Sequence, residues 1–219
     1  MKLYQMADGG VLASAREYDI AAGTAIKEGQ VVKLSAGLVV STAAGETGAV
    51  LGVAAESHSG QADALSPREN GEGLMVYDAP GAIFQCAAPE VTVTSGSDTT
   101  LVATGIASFV NDDFNGGFVK LLRKAANSTN TDLIGQVRRI TDFVADSKTF
   151  TLESGGVPYA GDVYAVFPPI GFARGNLSAD RTGLVLTASA SLALKVVGRD
   201  LTLDKINVKA RKHTLAESE

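Results

Sequence analysis

Glycine placement is the feature that most constrains the fold of this chain. The sequence contains 24 glycines without a collagen-like period, and they separate short runs rich in Val, Leu, Ile and Thr. Because glycine inside a helix costs about 1 kcal/mol relative to alanine, this placement disfavours long helices and favours short strands joined by tight turns. We therefore predict an all-β protein made of small β-barrel or β-sandwich modules with short Gly-rich turns and little helix.

The predicted strands are short β-rich runs bounded by Gly, Pro or polar residues. They lie at 31–34, 38–41, 50–54, 74–77, 82–86, 91–94, 117–123, 136–144, 148–153, 162–167 and 201–208. The stretch GLVLTASASLALKVVG fits either a helix or one long strand. Because Gly183 and Gly198 bracket it and β-rich sequence surrounds it, we expect a strand.

Turn composition divides the chain into three parts. Residues 1–20 predict an N-terminal arm or a first edge strand, and residues 21–70 a small β-module. Residues 71–219 predict a second β-rich domain that contains a β-unit at 115–168. The boundary falls in a loop of small polar residues, where Pro67 argues against a central strand. The polar tract NSTNTD, at 127–132, is expected to be an exposed loop.

The segment GQVRRITDFVADSKTFTLES, at 135–154, predicts a β-hairpin with a polar turn at 145–147. In its second run Phe150 and Leu152 point to one face while the threonines point to the other. The first run is less regular, because Ile140 and Phe143 would lie on opposite faces of an ideal strand. That run therefore either contains a β-bulge or buries parts of both faces.

Imidazole and thiol groups are too few for a zinc centre. The chain has only His58, His213 and Cys86, and no CxxC or HExxH spacing occurs. Both histidines stand in polar sequence and are expected at the surface, whereas Cys86 is expected to be a small buried hydrophobe. A single cysteine also excludes an intramolecular disulfide.

The carboxylates show no pattern of calcium binding or general acid–base chemistry. In DDFNGG, Asp113 and Asn115 match the first and third positions of a calcium loop. Gly117 and Lys124 then occupy the fifth and twelfth positions, where calcium ligands belong. Asp112 and Asp113 would point to opposite faces of a strand, so a polar turn explains the segment. With no GxSxG elbow or other nucleophile–base pair, we predict no catalytic, cofactor-binding or metal-binding residue and no enzyme activity.

The net charge of −5 argues against a nucleic-acid partner. A nucleic-acid-binding protein normally concentrates basic side chains in a stripe that neutralises phosphates. Here the basic residues are spread along the chain, apart from a short cluster at Lys209, Arg211 and Lys212. No apolar run has the length of a signal peptide or a membrane span, so we expect synthesis in the cytoplasm and no membrane partner.

Two stretches of the chain resemble a known class of proteins. The first contains GQVV at 29–32, GLVV at 37–40 and LGVA at 51–54. It resembles the small β-module of head decoration, or cement, proteins of tailed bacteriophages. The second contains GQVRRI at 135–140, TFTL at 149–152 and GDVYAV at 161–166. It is similar to a β-unit that recurs in phage virion proteins, and together the two stretches cover close to half of the chain.

This resemblance implies a structural virion protein that binds the outer surface of a phage capsid. Such a protein stabilises or decorates the capsid by bridging major capsid protein subunits. The resemblance further implies many copies, often homotrimers, on the capsid exterior after synthesis in the host cytoplasm. The arm at 1–20 could then pair with an exposed strand edge of the capsid.

Two other interpretations remain open. A phage tail, baseplate or head-fibre component is one, because the second stretch also resembles parts of such proteins. A carbohydrate-binding β-domain is the other, with Tyr159, Tyr164 and Phe167 as a stacking platform. Core packing explains those three rings at least as well, and the chain has no tryptophan for stacking on a sugar.

Overall fold

Strands account for all the regular secondary structure in the described part of the chain. The computed structural model describes residues 1–6, 14–59, 73–107, 109–187, 191–211 and 213–214. Seventeen strands and no helix lie in these ranges. In chain order, β1 to β17 are Lys2–Met6, Arg16–Asp19, Val31–Ser35, Leu38–Ser41, Gly52–Ala54, Gly73–Tyr77, Ala82–Ala87, Glu90–Gly96, Thr100–Thr104, Phe118–Arg123, Val137–Val144, Thr149–Leu152, Val163–Phe167, Asn176–Leu177, Leu184–Val185, Leu194–Asp200 and Lys205–Ala210. The all-β prediction, with barrel and sheet modules, is confirmed.

Six strands close into a barrel with an aromatic core. Their order is β10-β11-β12-β9-β8-β13, and every neighbouring pair is antiparallel. Inside the barrel, the ring centroid of Phe114 lies 4.8 Å from that of Phe143 and 5.3 Å from that of Phe150. The Phe114 ring stands edge-on to the other two, which is a favoured arrangement of aromatic rings. The predicted hairpin supplies β11 and β12, and so two of these three rings.

A β-bulge explains the irregular alternation of β11. The register between β11 and β12 shifts between Ile140 and Asp142. Because a bulge inserts one extra residue, the side chains of Ile140 and Phe143 both point into the barrel, and both are fully buried. Val137 and Val144 remain exposed on the outside. Of the two predicted alternatives, the bulge is correct.

A second sheet is formed mainly by the first part of the chain and has its own core. Its order is β2-β6-β5-β3-β4. Ile20, directly after β2, forms a parallel bridge with Val39 in β4, so the sheet curls until its outer strands meet. The core residues are Ile20, Ile26, Val32, Val39, Leu51, Ala54, Leu74 and Val76. Because β6 at 73–77 belongs to this sheet, its strands extend past residue 70, and the division into domains stays a prediction.

A third sheet brings the first and last strands of the described chain together. β1 pairs with β7, β7 with β17 and β17 with β16, all antiparallel. β1 is an edge strand here and β2 is an edge strand of the five-stranded sheet, which agrees with the edge-strand form of the prediction for residues 1–20. The segment 171–174 lies along the start of β16, because Gly171 N–H donates to the Val196 carbonyl and Leu192 N–H to the Ala173 carbonyl.

The prediction of one long strand over 183–198 is wrong. Leu184–Val185 pairs only with Asn176–Leu177, as the small sheet β14-β15, while Leu194–Asp200 is a separate strand that pairs with β17. Residues 186–187 and 192–193 are not in strand conformation, and residues 188–190 lie outside the described residues.

The last strand begins later than the predicted 201–208. Residues 201–204 form the turn between β16 and β17. Asp200 Oδ1 accepts hydrogen bonds from the N–H groups of Thr202 and Leu203, both at 3.0 Å, as in an Asx turn. The predicted strands also omit β9, Thr100–Thr104, which pairs with both β8 and β12.

Candidate functional site: the loop end of the barrel

Three loops lie together at one end of the barrel. They connect β8 to β9 at 97–99, β10 to β11 at 124–136, and β12 to β13 at 153–162. Because neighbouring strands around the ring are antiparallel, all three connections emerge at the same end. We call these residues the loop end.

A buried carboxylate ties two of these loops to each other. Asp162 is fully buried. Its oxygens accept four hydrogen bonds, from Ala125 N–H at 2.9 Å, Tyr159 N–H at 3.1 Å, Ser128 Oγ at 3.1 Å and Asn130 Nδ2 at 3.0 Å. A buried charge without such partners would strongly destabilise the fold. Since every donor comes from the 124–136 or 153–162 loop, the carboxylate fixes the backbones of both.

A buried arginine joins all three loops from β11. The Arg138 guanidinium donates to the carbonyls of Glu153 at 2.8 Å and Gly156 at 3.0 Å, and also to the Asp98 carbonyl. The Asp132 carboxylate lies 3.5 Å from the guanidinium and accepts a hydrogen bond from Gly156 N–H at 2.6 Å. Arg138 and Asp132 are each 3% exposed, so each neutralises a charge that would be costly to bury alone.

The surroundings of this cluster shift the pKa values of Asp162 and Tyr164. Burial by itself raises the pKa of Asp162, but the hydrogen bonds that its oxygens accept outweigh burial and leave the pKa below the usual value. Burial raises the pKa of the neighbouring Tyr164 hydroxyl to about 12. The Tyr164 oxygen also accepts a hydrogen bond from Asn130 Nδ2 at 2.9 Å. Neither group therefore has a pKa near neutral pH.

The tips of these loops carry exposed apolar side chains. Leu133 and Ile134 are 74% and 64% exposed, and Val157 on the neighbouring loop is 51% exposed. The two loops touch, because a Cβ built on Gly156 would lie 2.5 Å from the main-chain nitrogen of Asp132. Large apolar side chains clustered on an ordered backbone are typical of a protein interaction surface.

Known proteins provide no assignment for this surface. No protein-family model matches the chain. Neither curated proteins nor solved structures match it. The resemblance to phage decoration proteins therefore stays a prediction.

Residues singled out in the sequence analysis lie elsewhere. Cys86 is buried in β7 as predicted, and burial raises the pKa of its thiol to about 11. His58 and His213, expected at the surface, are both half-buried. Each of them forms a β-bridge with another segment, His58 with Ile26 and His213 with Val50.

Neither a metal-binding cluster nor a membrane-spanning helix is found among the described residues. Within them, no group of three or more His, Cys, Asp or Glu residues is placed to hold a metal ion. The same part of the chain contains no helix that is long enough and apolar enough to cross a membrane.

The DDFNGG segment forms the predicted polar turn. Residues 111–116 are in turn conformation. Asp113 Oδ2 accepts a hydrogen bond from Val110 N–H at 2.8 Å, and Asp112 Oδ1 accepts one from Asn115 Nδ2 at 2.8 Å. Both carboxylates therefore stabilise the turn itself.

The three rings considered for sugar stacking do not form a platform. Tyr164 and Phe167 are fully buried in β13, whereas Tyr159 is 36% exposed in the 153–162 loop. Core packing, the alternative explanation, accounts for the two buried rings.

The residues that build the loop end are those that sequence reasoning misses. An exposed loop is predicted at 127–132, but Asn130 and Asp132 are buried. One signal does point to them, since Arg138 lies two positions before Ile140 and so shares its inward face. A charged residue at an inward position requires buried polar partners, and loop residues are the nearest source of them.

The depressed pKa of Asp162 predicts an acid-dependent contribution to stability. A carboxylate with a lowered folded-state pKa stabilises the fold above its unfolded-state pKa, near 3.8, and this contribution is lost as the pH falls through the folded-state pKa. We expect the difference in thermal midpoint between the wild type and Asp162→Asn to be constant above about pH 5 and to narrow below about pH 4. Circular dichroism melts over this range measure the difference. A difference in thermal midpoint that stays the same from neutral to strongly acidic pH would contradict this prediction.

Proposed function

We propose that this protein is a structural component of a phage virion that binds the outer surface of the capsid and bridges major capsid protein subunits. The observation that carries the proposal is the loop end, where exposed apolar side chains stand on loops held by buried hydrogen bonds. The resemblance of residues 29–54 to phage head decoration proteins, and of residues 135–166 to a β-unit of phage virion proteins, supports it further. The protein would be made in the host cytoplasm and act on the capsid exterior.

Rigid loops suit a protein that works by docking. Binding normally loses free energy when mobile loops become ordered. At the loop end, Asp162 and Arg138 already hold the loop backbones through hydrogen bonds. Burying the side chains of Leu133, Ile134 and Val157 against a partner would then contribute about 25 cal/mol for each Å² of apolar surface removed from water.

The charged groups of the loop end support docking more than chemistry. Asp132, Arg138 and Asp162 are buried and engaged with main-chain groups, so none of them faces a substrate in solvent. The exposed side chains at the tips include the apolar Leu133, Ile134 and Val157. In an assembly of several copies, such as a homotrimer, modest contacts would combine because each later contact is intramolecular.

The first test is binding to phage heads that lack decoration. The purified protein is expected to bind such heads at a near-stoichiometric ratio to capsid subunits and to raise the temperature at which they rupture. Sedimentation of the mixture measures the ratio. Absence of binding would contradict the proposal, and binding to isolated tails in place of heads would favour a tail or baseplate component.

The second test locates the contact at the loop end. We expect Ile134→Asp to weaken head binding by about tenfold or more, because the charge would be buried against the partner. Ile170→Asp is the matched control, since Ile170 is also an isoleucine and is also 64% exposed, but lies outside the three loops. Both variants should melt like the wild type. Equal loss of binding in the two variants would show that the loop end is not the contact.

A further inference from the structure

A cleft with a basic lining lies beside β16, away from the loop end. Its volume is about 550 Å³, within the range of small-molecule sites. Its wall is formed where the segment 171–174 runs along the start of β16, and Arg174 forms a β-bridge with Ser191. The side chains that matter here are Asp113, Phe172, Arg174, Ser191, Lys195 and Arg211.

Three cations converge on this cleft in a chain whose net charge is −5. Among the described residues, Arg174, Lys195 and Arg211 line it together with one carboxylate, that of Asp113, so these four side chains carry two positive charges in excess. Arg174 Nη1 lies 3.6 Å from Asp113 Oδ2. Asp113 is itself held by the amide of Val110, so it orients the Arg174 guanidinium without filling the cleft.

The other two cations have little to neutralise them. Arg211 Nη1 donates to Ser191 Oγ at 2.9 Å, which is a neutral partner. Among the described residues, the Lys195 ammonium has no hydrogen bond or ion pair, and the side chain is exposed. Cationic groups gathered around a concave surface raise the local concentration of anions.

The donor set favours an oxyanion. A guanidinium offers paired N–H donors that match two oxygens of a carboxylate or phosphate, and an ammonium adds a point charge. The Ser191 hydroxyl adds a neutral donor, and the mostly buried Phe172 provides an apolar floor for a carbon skeleton. A long polyanion is disfavoured because it would extend over a surface of net negative charge.

We infer that this cleft is a binding site for a compact ligand bearing a carboxylate or phosphate group, held by Arg174, Lys195 and Arg211. The inference does not depend on the proposed function, because the cleft lies outside the loop end and its test needs only the purified chain.

The test is an NMR titration of the purified protein with two probes, inorganic phosphate and sodium glucuronate, at constant ionic strength. We expect saturable shifts of the main-chain amides of 171–174 and 191–195, with a dissociation constant of about 1 mM or tighter for one of the probes. Phosphate binding alone would identify a phosphate ligand. Tighter glucuronate binding would identify a carboxylate on a carbon skeleton.

Variants separate the site from general charge effects. Lys195→Gln combined with Arg211→Gln should weaken binding by about tenfold or more, because charge-assisted hydrogen bonds are lost. Arg139→Gln is the matched control, since Arg139 is an exposed arginine on the barrel strand β11. It should leave the dissociation constant unchanged. The inference is overturned by the absence of saturable shifts, by shifts that the double variant retains, or by shifts that Arg139→Gln abolishes equally.

Discussion

Replacing Ile140 or Phe150 with aspartate is expected to unfold the barrel. Both side chains are fully buried, and they lie on the neighbouring, paired strands β11 and β12. A carboxylate placed there would have no cation or hydrogen-bond donor, and burying an unpaired charge costs several kcal/mol. Since the free energy of unfolding of a domain is about 5 to 15 kcal/mol, this loss is a large part of the total.

The measurement is a thermal melt followed by circular dichroism. We expect either no cooperative transition or a fall in its midpoint of about 10 °C or more. Thr141→Asp is the control, because Thr141 neighbours Ile140 on β11 but points to solvent. It should melt within a few degrees of the wild type. If the Ile140 and Phe150 variants both melt like the wild type, the inward assignment of these strands is wrong.

Asp162→Ala is expected to produce the second largest loss of stability, about 2 to 3 kcal/mol. The substitution leaves four donors at the loop end without their acceptor. A buried donor that loses its partner costs about 1 to 3 kcal/mol, which applies in full to Asn130 Nδ2. The other three donors are part-buried, so water can reach them and each costs less. The 124–136 and 153–162 loops would also lose the group that joins them.

Urea unfolding gives the free energy, and limited proteolysis reports on the loops. We expect Asp162→Ala to be cleaved faster within 124–136 than the wild type under native conditions, because local opening becomes easier. Asp146→Ala, in the exposed turn between β11 and β12, is the matched control and should change neither measurement. A loss of less than about 1 kcal/mol for Asp162→Ala would show that the buried carboxylate is not what holds the loop end.

Side-chain alternation is the part of this fold that sequence predicts best. Phe150 and Leu152 are assigned to one face of β12 from sequence, and both are buried. The reason is that side chains alternate every two residues along a strand that has one solvent-exposed face and one buried face. The same rule fails to place Ile140 and Phe143 together, because a bulge changes the period by one residue and leaves no mark in a single sequence.

Apart from the inward position of Arg138, the sequence does not predict the loop end, and the reason is different. Asn130 and Asp162 are 32 positions apart, and their hydrogen bond exists only because the barrel brings two loops together. Asn and Asp in a polar tract normally lie in solvent. Hydrogen bonds between such residues allow them to be buried. These hydrogen bonds depend on tertiary contacts that cannot be read from composition. The β16–β17 turn, in contrast, carries a readable signal in Asp200, which begins it as an Asx turn.

The six-stranded barrel is closed, so none of its strands is an edge strand with a row of unpaired main-chain N–H and C=O groups. Such edge strands are where β-proteins pair with copies of themselves and grow into fibrils. The barrel can therefore be crowded at high local concentration without polymerising through its strands. A molecule that bound the barrel strands would contact their side chains, so such a contact would depend on the residues present.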